Sequence, residues 1–425
     1  MIRLALHWQI AIAIVFAVGA GLLTGTDGSI GPLRFYVAYE FVGTLFLNAL
    51  KMLIVPLIMS SIIVGIATFS RGENLGRVGT KIILYFLGST LLAVLLGLVI
   101  VNLLEPGIAN GEPAGGRLNL TMNDPGVQET LAHVASHSGR DFLSIFYDLI
   151  PVNVVAAAVE GQMLGLITFS LLFGFFMSRV AEGPARVLHD FWQGVFETMM
   201  AITELVMKFA PLGVFGLVAR TVAATGFEAF SPLLVFFIAV VLGLAIHSLV
   251  VLPLLMRVFG RVRPYMHIKL MTPALLTAFS TASSSATLPV TIERMEKHVG
   301  VSNRISGFVL PLGATINMNG TALYECAAAM FIAQAYGLDL TFGQQFLIVI
   351  TAVLTSIGVA GIPAASLVAI GVILGVIGLP LEGIGMLLVT DRILDMMRTA
   401  VNVFSDTCGA AIIAHSEGEQ TNISR

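Results

Sequence analysis

Apolar stretches long enough to cross a bilayer recur from one end of the chain to the other, at residues 8–24, 41–69, 82–103, 143–178, 192–224, 233–257, 305–335 and 384–414. In hydrocarbon a segment must satisfy its own backbone polar groups, so these stretches predict helices that span a membrane. The last stretch breaks the apolar pattern. Between Val389 and Ala414 it carries Asp391, Arg392, Asp395, Arg398, Asn402 and Asp406. An ionisable side chain at bilayer depth costs from about 3 to over 10 kcal/mol, so such groups are rarely idle. At about 100° per residue, Asp391, Asp395, Arg398, Thr399, Asn402 and Asp406 share one helix face. Ile393, Leu394, Met397, Val401 and Phe404 lie opposite, where they meet lipid or packed protein. A polar stripe of both signs facing inward suits a zwitterionic or anionic solute together with a cation.

Two more segments depart from simple spans. Residues 275–290 read LLTAFSTASSSATLPV and residues 349–364 read VITAVLTSIGVAGIPA. Aligned on Pro289 and Pro363, they share an early Thr-Ala, a Thr before the tip, an Ala three residues before the proline, and Leu/Ile-Pro. Each precedes an interrupted span: PLGATINMNGTALYE (311–325) after the first, the charged helix after the second. A repeated pair of broken hydrophobic segments points to a secondary transporter, in which half-helix ends meet near the midplane. A Ser283–Ser285 tip at a helix N-terminus presents backbone N–H groups to a carboxylate. The competing explanation is that Ser283–Ser285 and Gly358–Gly361 merely allow close helix packing.

Composition extends the picture to the whole chain. Hydrophobic residues make up 57% and charged residues 11%, against about 25% charged in soluble domains, and mean hydropathy is +0.94. This defines an all-α integral membrane protein and excludes a soluble receptor. The net charge of −3 carries little information because the charges are segregated. Lys and Arg collect at Arg71, Arg77 and Lys81, at Arg257, Arg261, Arg263 and Lys269, and at Arg294, Lys297 and Arg304. The 104–142 loop instead holds Glu105, Glu112, Asp124, Glu129 and Asp141 against Arg117 and Arg140. The positive-inside rule makes the first group cytoplasmic and the acidic loop external, with both termini inside a cell (inner or plasma) membrane. His7 and Trp8 suit an interfacial helix start, so the first apolar run reads as retained rather than cleaved. The sequon at Asn119 reads as chance. Cys326 and Cys408 lie in apolar spans and support neither a disulfide nor a metal site. No nucleophile–base pair, phosphate loop or metal cluster appears, and His133, His137, His247 and His267 fall in loops or near span ends. An enzyme or a nucleic-acid binder therefore finds no support.

Four motifs, TASSSATLP, LPLGATINMNGT, SIGVAGIP and DRILDMMRTAVNVFSD, closely resemble those of the dicarboxylate/amino acid:cation symporters, the glutamate transporter family. The similarity runs from the first span to about residue 414. It implies eight transmembrane helices, two re-entrant hairpins (264–296 and 341–376), inverted repeats and a homotrimer. The implied domains are scaffold spans in 1–80, the third span in 81–104, and the outer loop with scaffold spans in 105–225. A transport domain in 226–415 moves like an elevator, and 416–425 forms a cytoplasmic tail.

Carried over by motif, Arg398 pairs with a side-chain carboxylate and Asp395 with an α-amino group, while Thr399 and Asn402 add polar contacts. Thr321 and the Ser283, Ser284 and Ser285 tip bind the α-carboxylate, with backbone of Val359–Gly361 closing over it. The planar fork of arginine suits a carboxylate, and a carboxylate suits an ammonium. The bland alternative is an Asp395–Arg398 pair at i, i+3 that only neutralises itself. Dicarboxylate carriers of this family keep the arginine but replace the aspartate, and neutral amino acid carriers do the reverse. This chain has both, so the expected solute is glutamate or aspartate, with no cofactor beyond Na+ and H+ as coupling ions. The alternatives are a C4-dicarboxylate symporter and an anion channel on the same scaffold.

For cations, the resemblance implies one site from Asp406 and the carbonyls of Gly313, Asn317 and Asn402. A second uses carbonyls of Thr315, Ser356 and Ile357. These are hard oxygen ligands on unwound backbone, the chemistry expected for a group-one or group-two cation. A third family site is weakened here. Asn319 stands where the family has aspartate and Phe86 where it has tyrosine, although Ser89 and Thr90 remain. Glu325, at a position where the family carries Glu or Gln, is the candidate proton carrier, since desolvation favours the protonated form of a buried carboxyl. Its alternative role is a permanently hydrogen-bonded, never ionised side chain.

Overall fold

The apolar stretches fold as helices in the computed structural model, which describes residues 6–70, 77–118, 120, 150–160, 163–226, 230–358 and 365–424. The first half contains α1 (Leu6–Thr24), α2 (Phe35–Ser70), α3 (Arg77–Leu104), α4 (Val154–Glu160), α5 (Met163–Met177), α6 (Glu182–Lys208) and α7 (Ala210–Thr225). The second half contains α8 (Phe230–Ile246), α9 (Leu252–Phe259), α10 (Pro264–Thr281), α11 (Ser284–Arg294), α12 (Asn303–Ile316), α13 (Asn319–Ala335), α14 (Phe342–Gly358), α15 (Ala365–Ile377) and α16 (Ile384–Ser416). The all-α expectation has a small exception in two antiparallel ribbons, β1 (Ser29–Ile30) with β2 (Leu33–Arg34) and β3 (Ile108–Ala109) with β4 (Glu112–Pro113).

Among the described residues, two unbroken helical runs are long and apolar enough to cross a membrane, Arg77–Leu104 and Phe230–Phe259. A third, Glu182–Val206 with Ala210–Ala224, bends by 55° at its break. Helix α16 has 33 residues, about 50 Å at 1.5 Å per residue, but its charges lower its apolar character.

Helices α1, α2, α5, α6 and α7 pack largely on one another, with α2 also reaching α14 and α15. Helix α13 lies at the centre of the second half, packed by α3, α8, α14, α15 and α16. All its residues except Gln334 are buried. The stretch Val401–Ala414 of α16 is likewise buried throughout. Of the residues opposite the polar stripe, only Ile393 is well exposed, so that face meets protein more than solvent or lipid.

The broken segments take three forms. Residues 264–296 hold a helical hairpin, α10 and α11, whose turn places Ala282 at φ 49°. Ser283 then caps α11 by accepting a hydrogen bond from Ala286 N at 3.2 Å. In 341–376, α14 and α15 pair likewise, and the intervening 359–364, with the expected ligands Val359 and Gly361, lies outside the described residues. The span after the first hairpin is broken in its backbone: Asn317 (φ −115°, ψ 71°) and Met318 (φ −101°, ψ 57°) leave the helical region between α12 and α13. The span after the second hairpin, α16, is continuous, as the single polar face read from the sequence requires. Its interruption is one of composition only, since polar side chains leave the i to i−4 ladder intact.

One histidine corrects the reading from sequence. His247 opens a wide π-helical turn, His247–Val251, joining α8 to α9 within one span rather than lying in a loop or near a span end, whereas His267 sits in the first turn of α10; both are fully buried. Such wide turns inside helices occur often at functional sites. His133 and His137 lie outside the described residues.

The chain end is tied down. Glu417 accepts hydrogen bonds from Lys81 and Arg77 at the start of α3. Glu419 accepts one from Ser302 N at 3.0 Å. Asn422 Nδ2 donates to His298 O at 2.9 Å, Arg263 N donates to Ile423 O at 2.8 Å, and Ile423 is buried. Hydrogen bonding from Lys81, reinforced by Arg77, holds the Glu417 carboxyl below its ordinary range. A depressed folded value contributes stability that is present above the unfolded value of about 4.3 and lost as pH falls through the folded one. Glu417→Gln therefore lowers the melting temperature near neutral pH, and the gap to the parent closes in acid. Thermal melts across that pH range check this.

Candidate functional site

The polar stripe of α16 turns toward α13 and gathers its charges into one cluster. Arg398 is fully buried, with its Cζ 3.8 Å from the centroid of the Tyr324 ring. Its Nη2 donates to Asp395 Oδ1 at 2.9 Å and to Asp391 Oδ1 at 3.1 Å. Arg392 Nη1 donates to Asp395 Oδ2 at 3.3 Å. Residues 391, 395 and 398 lie within two helical turns on one side, which is why one guanidinium reaches both carboxylates. Two arginines and two aspartates balance in charge. Nε and Nη1 of Arg398 make no hydrogen bond among the described residues. A buried guanidinium with donors to spare is costly unless a further acceptor arrives. Asp391, given no role beyond its place on the stripe by the sequence, is a direct partner of Arg398.

One turn further on, Asn402 joins α16 to the start of α13. Its Oδ1 accepts from Gly320 N at 2.7 Å and its Nδ2 donates to Thr321 Oγ1 at 3.0 Å. The first N–H groups of a helix have no partner within it, so Asn402 completes the α13 end across the gap. The approach demands glycine: a Cβ on Gly320 would lie 2.8 Å from Arg398 O. Thr399 Oγ1 donates to Asp395 O at 2.8 Å, within its own helix. At the first hairpin Ser284 is buried, Ser283 half-buried and Ser285 exposed, and α11 packs against α16.

The unwound Asn317–Met318 segment faces Asp406. Asn317 Nδ2 donates to Asp406 Oδ1 at 2.8 Å and reaches Ser405 Oγ at 3.1 Å. A Cβ on Gly313 would overlap Asp406 Oδ1. Gly313, Asn317, Asn402 and Asp406 thus come together in buried structure at the α12–α13 break. Thr315 and Ser356 turn their hydroxyls onto their own helices, to Leu312 O and Val353 O at 2.8 Å each. Ile357 belongs to the last turn of α14.

Around Asn319 the protein completes its own hydrogen bonds. Thr90 Oγ1 donates to Asn319 Oδ1 at 2.8 Å, and Asn319 Nδ2 reaches Ser405 Oγ at 2.7 Å and His247 Nε2 at 3.2 Å. Ser89 Oγ lies 3.4 Å from Asn317 Oδ1. Phe86 is buried beside a cavity of about 220 Å3 that Thr90, Ile316 and Ser356 also line. Tyr85, the neighbour of Phe86, donates to Ser405 O at 3.0 Å. Tyr85, His247, Tyr324, Thr355 and Ser405 are site residues that sequence reasoning passed over. Only the adjacency of Tyr85 to Phe86 and the TALYE motif hinted at any of them. Glu325 is fully buried, and its Oε2 accepts from Thr355 Oγ1 at 2.9 Å.

Among the described residues no three His, Cys, Asp or Glu side chains gather as a metal cluster. The oxygen groups near Asp406 are amides, hydroxyls and carbonyls around one carboxylate, a donor set suited to a hard monovalent cation.

Balanced charge sealed inside a bundle of apolar helices, beside a break in one of them, defines a helical membrane transport protein. The chain belongs to the sodium:dicarboxylate symporter family, whose model matches residues 6–416. It is 36% identical to the proton/glutamate-aspartate symporter of Escherichia coli (strain K12), over 98% of this chain and 94% of that one. It is 34% identical to the proton/sodium-glutamate symport protein of Geobacillus stearothermophilus, over 99% and 96%. Identity to human excitatory amino acid transporter 3 is 35%, over 97% and 86%.

The close approach at Gly313 is testable. A Cβ there pushes Asp406 away, and overpacking of this kind costs about 1–3 kcal/mol. Gly313→Ala should weaken sodium binding, read as the sodium-dependent rise in melting temperature, by roughly tenfold (about 1.4 kcal/mol). Gly307→Ala, whose Cβ would meet Asn303 at 3.8 Å, serves as the unaffected control.

Proposed function

We propose that the protein is a secondary active symporter that imports glutamate or aspartate, driven by Na+, H+ or both. The observation that carries this is Arg398: fully buried, stacked on Tyr324, and holding Nε and Nη1 without a hydrogen-bond partner among the described residues while Nη2 engages two aspartates. The three relatives, all of them named as transporters of glutamate or excitatory amino acids, support the same reading.

In this reading the side-chain carboxylate of the solute takes the unused donors of Arg398. Asp395 leaves its shared pairing with Arg392 and Arg398 to receive the α-ammonium, and Asp391 remains as counter-charge to the guanidinium. Thr321, Thr399 and Asn402 line the solute, and Ser283, Ser284 and Ser285 with Val359 and Gly361 contact its α-carboxylate. One cation takes Asp406 with carbonyls of Gly313, Asn317 and Asn402, and a second takes carbonyls of Thr315, Ser356 and Ile357. The third set at Ser89, Thr90 and Asn319 is satisfied by protein hydrogen bonds, which favours fewer bound sodium ions. A proton on Glu325 makes up part of the driving force.

The architecture assigned to this activity is eight spans with two re-entrant hairpins, both termini cytoplasmic, in a homotrimer. Residues 1–80 and 105–225 supply the fixed scaffold, and 81–104 with 226–415 the moving domain. The mutual packing of α1, α2, α5, α6 and α7 and the gathering of the remaining long helices about α13 and α16 support that division.

Uptake of radiolabelled aspartate, glutamate and succinate into proteoliposomes, under separate sodium and proton gradients, tests substrate and coupling together. Acidic amino acids should accumulate and succinate should not. Arg398→Ala should abolish that uptake, while a neutral amino acid is still exchanged. Unchanged glutamate and aspartate uptake in Arg398→Ala would falsify the assignment, and preference for succinate would replace it with a dicarboxylate carrier.

A further inference from the structure

We propose that Thr355 is a positioning residue for Glu325, a hydroxyl rotor that gives the carboxyl a hydrogen-bond partner in both of its protonation states. The proposal rests on the reading of Glu325 as a proton carrier and adds the group through which α14 senses that proton.

Thr355 Oγ1 carries one hydrogen but stands within reach of three acceptors. Glu325 Oε2 lies at 2.9 Å, Thr351 O at 2.9 Å and Ala352 O at 3.1 Å. A hydroxyl is one donor and two acceptor lone pairs, and its hydrogen turns to suit its surroundings. With Glu325 ionised, the Thr355 hydrogen points at Oε2 and makes a charge-assisted bond. With the proton on Oε2, the Glu325 hydroxyl donates to Thr355 Oγ1, and the Thr355 hydrogen rotates back to Thr351 O or Ala352 O. The heavy atoms need not move. Both residues are buried, Thr355 at 2% and Glu325 at 0% exposure, so no bulk solvent stands in for the lost partner.

The neighbourhood leaves this pair in charge of the proton. Helices α8, α14 and α15, all packed on α13, contain no ionisable side chain within their bounds. His247, beyond α8, is engaged with Asn319, and Tyr85 of α3 with Ser405. On α16, Arg398 acts on Glu325 through its field and is itself tied to Asp391 and Asp395. Tyr324 and Cys326 flank Glu325 on its own helix. Glu325 Oε1 and Thr351 Oγ1, one turn before Thr355, make no hydrogen bond among the described residues. Thr355 immediately precedes Ser356, whose carbonyl is assigned to a cation under the proposed function.

The test is the pH dependence of proton-driven glutamate uptake in proteoliposomes of the full chain. Thr355→Val removes the hydroxyl at nearly constant volume and should displace the midpoint of the curve by about half a unit or more, because a charged acceptor gains more from a donor than a neutral one does. Thr355→Ser should restore the parent curve. Should the valine variant not fold, Thr355→Ala with infrared spectroscopy replaces it: the protonated-carboxyl band that Glu325→Gln removes should shift in frequency. A pH curve altered by Glu325→Gln but identical in Thr355→Val and parent, or an unshifted band, overturns the rotor alone. A curve unaffected by Glu325→Gln overturns the proton reading and the rotor with it.

Discussion

A guanidinium with no exposure to solvent sets the terms for the surrounding helices. Arg398 stays charged at any accessible pH, so burying it requires nearby negative charge, aromatic surface and a geometry that keeps all of these in place. Asp391 and Asp395 supply the charge from the same helix, and Tyr324 supplies the ring from α13. That arrangement fixes the rotation of α16 against α13. Gly320 then lets the two backbones approach, and Asn402 closes the gap by satisfying the start of α13. The same contact surface carries Asp406 to the α12–α13 break, so the anion-seeking and cation-seeking groups are held on one rigid ruler.

Opposite roles are served by adjoining stretches of backbone. The α12–α13 break takes backbone out of the helical ladder beside Asp406, and the turn at Ala282–Ser283 starts a new helix. Side chains on α16 carry the charge, while the unwound backbone beside them carries none of its own. Keeping most of the buried groups around Asp406 neutral limits the cost of burying them, since a buried amide or carbonyl costs far less to dehydrate than a carboxylate.

Much of this was legible in the sequence. Pro and the Ser run in the 275–290 segment marked the α10–α11 hairpin, and the Asn-Met-Asn run marked the break between α12 and α13, because these residues act on the local backbone. Helical periodicity placed the α16 stripe on one face. Roles that depend on which partner a side chain finds across the bundle were not legible. Asp391 lay on the stripe, but its bond to Arg398 depends on the rotamer that Tyr324 and Asp395 impose. His247 looked peripheral because the wide turn that buries it has no compositional mark, and the last residues gave no sign that Glu417, Glu419 and Asn422 would each find a partner on α3 or around the base of the first hairpin. By contrast, the continuity of α16 was legible, because polar side chains at helical spacing leave the backbone ladder unbroken.

The wide turn at His247–Val251 changes what helical phase means on that span. Buried positions run Gly243, Leu244 and His247, then Leu252, Pro253 and Met256, so the inward stripe skips five residues where a regular helix allows three or four. Leu249, Val250, Leu254 and Val258 remain outside throughout. One inserted residue lets a single continuous helix present a polar group inward along its first half and still keep its greasy side outward along its second. Across this span, a residue-by-residue match of inward and outward positions holds only between chains that share the insertion.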